Sequence, residues 1–221
     1  YRPAEDSFWL AALAPATNGC VCDLGCGTGA VGLAYLMTHS APNLLDPKLV
    51  APNLVGFDVQ ADMTSAAHQA AIYNNLKGAF IIGDMAALPF TPETFALTLA
   101  NPPFYNPQRE MRATKPAHQP IKFTNTPLKN WLTAMANLTI PQGQMAIVVS
   151  AQDSHALIKH AATLACTLTD LFFLKTHPNK APKRAVLIFR KGTHTGAENA
   201  VKEQVIDTYK ASMREKYLAE H

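Results

Sequence analysis

The sequence predicts an α/β fold, a doubly wound and mostly parallel sheet with helices on both faces. Three observations carry this. First, the buried-looking run Cys20–Leu24 leads into the turn Gly25-Cys26-Gly27-Thr28-Gly29 and then into the apolar stretch Ala30–Met37. Strand, glycine-rich turn and helix form the opening unit of such a sheet. Second, further short apolar runs alternate along the chain with segments of helical periodicity. Third, the run Phe95–Ala100 stops at Asn101-Pro102-Pro103-Phe104. Proline has no backbone N–H and a fixed φ, so the strand ends there and Asn101 lies at its C-terminal end, where open α/β sheets hold their ligands.

The elements follow in order. Tyr1–Ala14 reads as an amphipathic helix with Pro3 in its first turn and Pro15 after its end. After the first strand, turn and helix, His39–Asn53 is rich in Pro and Asn and reads as a surface insertion. Leu54–Asp58 is the second strand, Ala61–Leu76 a helix, and Ala79–Ile82 the third strand. Pro127–Leu138 has Leu128, Trp131, Leu132, Met135 and Leu138 on one helical face. Pro141-Gln142-Gly143 reads as a turn into the strand Met145–Val149, and Asp153–Leu164 as a helix. Leu168–Leu174 and Ala185–Arg190 are the last two strands. Residues 1–192 therefore form one domain. Residues 193–221 are a polar C-terminal extension in which Glu203–Leu218 has a helical pattern.

Composition bounds the function. The 221 residues are 48% hydrophobic and 16% charged, which excludes a disordered chain. No run approaches the length of a membrane span, and no secretory signal is visible; a cytoplasmic protein without a membrane partner is expected. The net charge of +3 permits a nucleic-acid partner without requiring one. Cys20, Cys22 and Cys26 crowd into one strand and turn, with Cys166 far away. That layout suits neither a disulfide framework nor a four-ligand metal site, so reduced thiols and no metal are expected.

The polar residues at the strand ends point to a ligand. The turn spacing is G-x-G-x-G after Asp23, not the G-x-G-x-x-G of dinucleotide-binding proteins. Asp23 would repel a phosphate and attract an ammonium, which favours S-adenosylmethionine over NAD. Asp58 ends the second strand, where a carboxylate can accept both ribose hydroxyls; its spacing from the glycines is long, and the insertion accounts for the excess. Asp84 and Met85 follow the third strand, where they suit an adenine amino group and its ring. Asn101 and the Pro102 carbonyl offer two acceptors for an amino group whose lone pair attacks, and Phe104 a flat face for the ring that carries it. Tyr105–Thr126 is a long loop carrying Arg109, Arg112, Lys115, His118 and Lys122. It reads either as a solvated loop or as a segment that closes on phosphates. A second basic connection, Lys175–Arg184, contains Lys183 and Arg184.

In combination, Asp23-x-Gly25-x-Gly27-x-Gly29, the acid-ended strand at Asp58, Gly83-Asp84-Met85 and Asn101-Pro102-Pro103-Phe104 resemble the class I S-adenosylmethionine-dependent methyltransferases of the amino-group type. The resemblance spans about Cys20–Arg190. It implies a Rossmann-like, seven-stranded sheet whose last strand runs antiparallel. It also implies cofactor contacts at Asp23, Gly25, Cys26, Gly27, Gly29, Asp58, Val59, Asp84, Met85 and Asn101, and S-adenosylhomocysteine as product. The catalytic turn would be Asn101, Pro102, Pro103 and Phe104. Within that class the chain is most similar to the bacterial tRNA1(Val) (adenine-N6)-methyltransferases. The similarity lies in the opening Tyr1-Arg2 with Asp6 before an apolar helix, in Arg109 and Arg112 after the Asn-Pro-Pro-Phe-Tyr turn, and in Lys183-Arg184-Ala-Val-Leu-Ile-Phe189. This implies a tRNA partner, with Arg109, Arg112, Lys115, Lys183 and Arg184 as RNA contacts. The Thr38–Asn53 insertion departs from that pattern. The opening Tyr1–Phe8 also resembles the glutamine methyltransferases of peptide-release factors, so a release-factor protein is the alternative substrate, and a non-catalytic RNA-binding module the alternative from another class.

Overall fold

The computed structural model describes residues 5–39, 53–103, 126–177, 179–192 and 201–207. In chain order the elements are α1 (Glu5–Leu13), β1 (Val21–Leu24), α2 (Ala30–His39), β2 (Leu54–Asp58), α3 (Ala61–Tyr73), β3 (Gly78–Ile82), a 3-10 turn (Met85–Ala87), β4 (Phe95–Ala100), α4 (Leu128–Leu138), β5 (Thr139–Ser150), α5 (Ser154–Thr163), β6 (Cys166–Lys175), β7 (Arg184–Lys191) and β8 (Lys202–Asp207).

All the strands join one sheet in the order β3-β2-β1-β4-β5-β7-β6-β8. Of these, β7 runs antiparallel to both of its neighbours, and the remaining pairs are parallel. The expected fold class is therefore present with one correction, eight strands among the described residues instead of seven. The added strand is Lys202–Asp207, which overlaps the start of Glu203–Leu218, where the pattern predicts a helix. It pairs with β6 from Asp170↔Lys202 to Lys175↔Asp207. Its side chains are mostly exposed, Val205 among them, so its place is fixed by backbone hydrogen bonds, which leave little trace in hydrophobic periodicity.

The pleat sends alternate residues to two cores. In β5, Met145, Ile147 and Val149 join Trp131, Leu132 and Met135 of α4 and Leu157 of α5. Ala146 and Val148 join Trp9 and Leu10 of α1 and Val31 and Leu33 of α2 on the other face. Helices thus cover both faces. Two buried hydroxyls tie β4 to the α4–β5 junction: Thr139 Oγ1 donates to the Met135 carbonyl at 2.7 Å, and the Thr98 hydroxyl lies 3.0 Å from Thr139 Oγ1. The expected turn at Pro141-Gln142-Gly143 is taken up inside β5. The register against β4 jumps from Phe95↔Thr139 to Leu97↔Gln144, and Gln142 has φ 64°, so the strand continues through a bulge.

Candidate active site

The site stands at the C-terminal edge of the sheet, where the strand order turns outward in both directions from β1 and β4. Register assembles it. Leu24 is level with Phe57 of β2 on one side and with Ala100 of β4 on the other. The next residues, Gly25, Asp58 and Asn101, therefore emerge side by side. Asp58 is in turn level with Ile82 of β3, just before Gly83-Asp84-Met85.

The glycine turn is held from below by backbone. Gly25 and Cys26 donate to the Phe57 carbonyl at 2.7 and 3.0 Å, and Gly29 donates to the Cys26 carbonyl at 2.8 Å. Gly25, Gly27 and Gly29 have φ of 70°, 52° and 80°, a region costly for any residue with a Cβ. Space divides their roles. A Cβ on Gly25 would lie 2.4 Å from the Trp131 ring, whereas a Cβ on Gly27 would meet nothing within 4 Å. Gly25 is thus a packing glycine, and Gly27 marks the open side of the turn. Cys26 is turned inward and buried, with its Sγ toward Gly56, so its share in the turn is its backbone.

The two carboxylates differ. Asp58 Oδ2 accepts from Gly27 N–H at 2.8 Å and Oδ1 accepts from Gln60 N–H at 2.9 Å. Each oxygen has a further lone pair for a hydroxyl. Asp23 is buried; Oδ2 accepts from Gly32 N–H at 2.8 Å, near the start of α2. Its Oδ1 is buried and has no hydrogen-bond partner among the described residues. Burial pushes the Asp23 carboxyl up to about 7, opposed by the Gly32 N–H and reinforced by the charge of Asp58. A cation brought to Oδ1 would stabilise its ionised form.

Beyond β2, Val59 is 47% exposed, an apolar side chain left uncovered beside Asp58. Asp84 is exposed and caps the 3-10 turn, its Oδ1 accepting from Ala86 N–H at 2.8 Å. Met85 is half-buried and packs toward the α4 core. Asn101 is half-buried, Pro102 buried and Pro103 half-buried. Asn101 Nδ2 donates to Ser7 Oγ of α1 at 2.9 Å. Ser7 is a site-facing residue that sequence reasoning did not single out. Its signal was the Glu5-Asp6-Ser7 run at the start of α1, noted for resemblance and not for chemistry.

Phe104, Arg109, Arg112 and Lys115 lie outside the described residues, as does most of the Thr38–Asn53 insertion. Lys183 is exposed at the same edge of the sheet. Arg184 opens β7, level with Ser150 at the end of β5, and its Nε donates to Asp6 Oδ2 at 2.9 Å. Arg184 thus anchors α1. Among the described residues no group of His, Cys, Asp and Glu could hold a metal ion, no helix is long and apolar enough to cross a membrane, and all four cysteines are free.

The arrangement fits the ligand expected from the sequence. Asp23 Oδ1 suits an ammonium, the open face of Gly27 a close-lying chain, the spare lone pairs of Asp58 two ribose hydroxyls, and Val59 with Asp84 an aminated ring. The sequence model of a family described as the methyltransferase small domain matches residues 6–161. No curated protein matches the chain. Among solved structures, a protein of Agrobacterium tumefaciens assigned by prediction as an O-methyltransferase has 12% identity and a TM-score of 0.62, over 92% of this chain and 86% of its own. A protein of Pyrococcus horikoshii, described as an RNA methyltransferase on provisional grounds, has 16% identity and a TM-score of 0.57, over 86% and 82%. The M protein of the type I restriction enzyme EcoKI has 18% identity and a TM-score of 0.57, over 89% of this chain and 45% of its own. At these identities the likeness is one of fold.

Proposed function

Since the chain belongs to the methyltransferase small domain family and is an S-adenosylmethionine-dependent methyltransferase, we propose that it methylates the exocyclic N6 amine of an adenine in tRNA. The observation that carries this reading is the register Leu24↔Ala100, which sets Asn101-Pro102-Pro103 beside the glycine turn. An acceptor pair at that position suits an amino group more than a hydroxyl, because an amine presents two hydrogens to be held while its lone pair stays free.

S-adenosylmethionine, when bound, supplies an electrophilic sulfonium methyl. Asp23, Gly27, Asp58, Val59 and Asp84 would hold it. The protein's remaining task is alignment. Asn101 Oδ1 and the Pro102 carbonyl accept the two amino hydrogens and turn the nitrogen lone pair toward the glycine turn. Their partial negative charges favour the positive charge that grows on that nitrogen. Phe104 would offer its ring to the base, which must leave its neighbours to reach the turn. The proton departs to solvent, so no strong base is needed.

The RNA reading is supported by Lys175 at the end of β6 and by His177, Lys180 and Lys183 in the β6–β7 connection, at the edge of the sheet that holds Asn101. Arg109, Arg112 and Lys115 would add to this on the loop after the catalytic turn. The test is transfer of labelled methyl from S-adenosylmethionine to unmodified total tRNA and, separately, to a peptide-release factor. Label in tRNA adenine is expected. Label in the release factor alone would assign the same site to a protein glutamine, and binding of RNA without any transfer would leave a binding module.

A further inference from the structure

The bond between α1 and the catalytic turn has a chemical consequence. An Asn side chain is a planar amide with an acceptor on one side and a donor on the other. Rotated by half a turn, Asn101 would present its NH2 to the incoming amine, donor against donor, and the turn would lose one of its two acceptors. A hydroxyl partner, donor and acceptor both, does not choose between the two orientations, but it fixes the plane of an amide that an isolated Asn at a strand end would leave free to turn. Here Nδ2 donates to Ser7 Oγ at 2.9 Å across 94 positions of chain, which sends Oδ1 to the opposite side of the amide.

The support of Ser7 is itself fixed. Ser7 is 2% exposed, so water does not compete for its hydroxyl. Two residues on, Trp9 is buried in the core shared with α2 and β5, as are Leu10 and Ala11, and Trp9 Nε1 donates to Glu5 Oε1 at 3.3 Å. The preceding residue, Asp6, is paired with Arg184 at the start of β7. Adjacent residues of α1 thus join the helix to β7 on one side and to the catalytic turn on the other.

We propose that Ser7 is a positioning residue for methyl transfer: its buried hydroxyl fixes the plane of the Asn101 amide, from which Oδ1 receives the target amine. The proposal rests on the reading that Asn101 holds that amine. Ser7 touches neither donor nor acceptor and acts through Asn101 alone. Its removal therefore lowers kcat and leaves cofactor affinity unchanged.

The experiment is a double-mutant cycle on the full chain, with tRNA as acceptor and S-adenosylhomocysteine binding measured by calorimetry. Ser7→Ala is expected to lower kcat about tenfold, the scale of one lost hydrogen bond, with S-adenosylhomocysteine affinity unchanged and a folded thermal transition. Ser7→Thr, which keeps the hydroxyl, should restore most of the rate. In an Asn101→Ala background Ser7→Ala should have no further effect, because the two act as one unit. Undiminished kcat in Ser7→Ala, or an equal loss in both backgrounds, would overturn the proposal while leaving Asn101's role intact. Full activity of Asn101→Ala would instead overturn the reading beneath it. A measurement independent of turnover is the Asn101 side-chain amide signal in NMR, identified by its absence in Asn101→Ala. Its protection from solvent exchange should be lost in Ser7→Ala, and retained protection contradicts the proposal.

Discussion

The Asp58 carboxylate accepts a hydrogen bond from the Gly27 N–H at 2.8 Å, linking the end of β2 to the open glycine of the turn after β1, 31 positions away. The carboxylate proposed to hold a ribose therefore also shapes the glycine turn beside it. Asp58→Ala should consequently lose cofactor affinity beyond one ligand contact. A charge-assisted hydrogen bond is about twice as strong as a neutral one, so a fall of about 100-fold or more in calorimetric affinity for S-adenosylhomocysteine is expected. Asp58→Asn keeps an acceptor for one N–H and should fall less.

The glycines of the turn should separate by phenotype. Gly25→Ala places a methyl 2.4 Å from the Trp131 ring and is expected to destabilise the fold, lowering the melting temperature by several degrees. Gly27→Ala meets no neighbour, so its cost to stability is confined to the φ of 52°, about 1–2 kcal/mol. Its main effect should be on cofactor affinity, since the methyl points into the open side of the turn. Thermal melts with and without S-adenosylhomocysteine distinguish the two.

Asp23 predicts a pH dependence. Burial raises its carboxyl to about 7, so in the free protein it gains a proton as pH falls through neutrality. A bound ammonium favours the ionised form. Affinity for S-adenosylhomocysteine should therefore fall as pH drops below about 7 and level off above it, with a slope of up to about tenfold per unit. Calorimetry from pH 5.5 to 8 checks this, and Asp23→Asn should flatten the profile at lower affinity.

Lys183 and Arg184 are neighbours in different surroundings. Lys183 is exposed, and Lys183→Ala should weaken tRNA binding, lower its salt slope by about 0.7–0.9 and leave stability unchanged. Arg184 holds Asp6, so Arg184→Ala should lower stability by about 0.2–1 kcal/mol, as partly exposed ion pairs do. Filter binding across a salt series, beside thermal melts, separates the two.

The parts of the molecule that sequence made legible are those written in contiguous residues. Cys20–Gly29 carries strand, turn and acid together, and Phe95–Pro103 carries a strand and its stop; both are where pattern placed them. What escaped depends on pairing across the chain. Ser7 meets Asn101 94 positions later, and Arg184 is an anchor because of Asp6, 178 positions away. A serine and an arginine have no periodicity to announce such partners. β8 escaped for a related reason: Lys202-Glu203-Gln204 is polar and exposed, and a sheet edge accepts such a strand through its backbone. Pro141 and Gly143 gave a true signal of irregular backbone, but the bulge they mark lies inside β5.

The central claim, that Asn101 at the end of β4 presents an amine of adenine for methylation, is tested most directly by nucleoside analysis. Unmodified tRNA would be incubated with S-adenosylmethionine and either the wild-type protein or Asn101→Ala, then digested and separated by mass. N6-methyladenosine is expected with the wild type. A yield lower by about 100-fold or more is expected with Asn101→Ala, which still binds S-adenosylhomocysteine. A methyl group on another atom of the RNA, or undiminished N6-methyladenosine with Asn101→Ala, would contradict the claim.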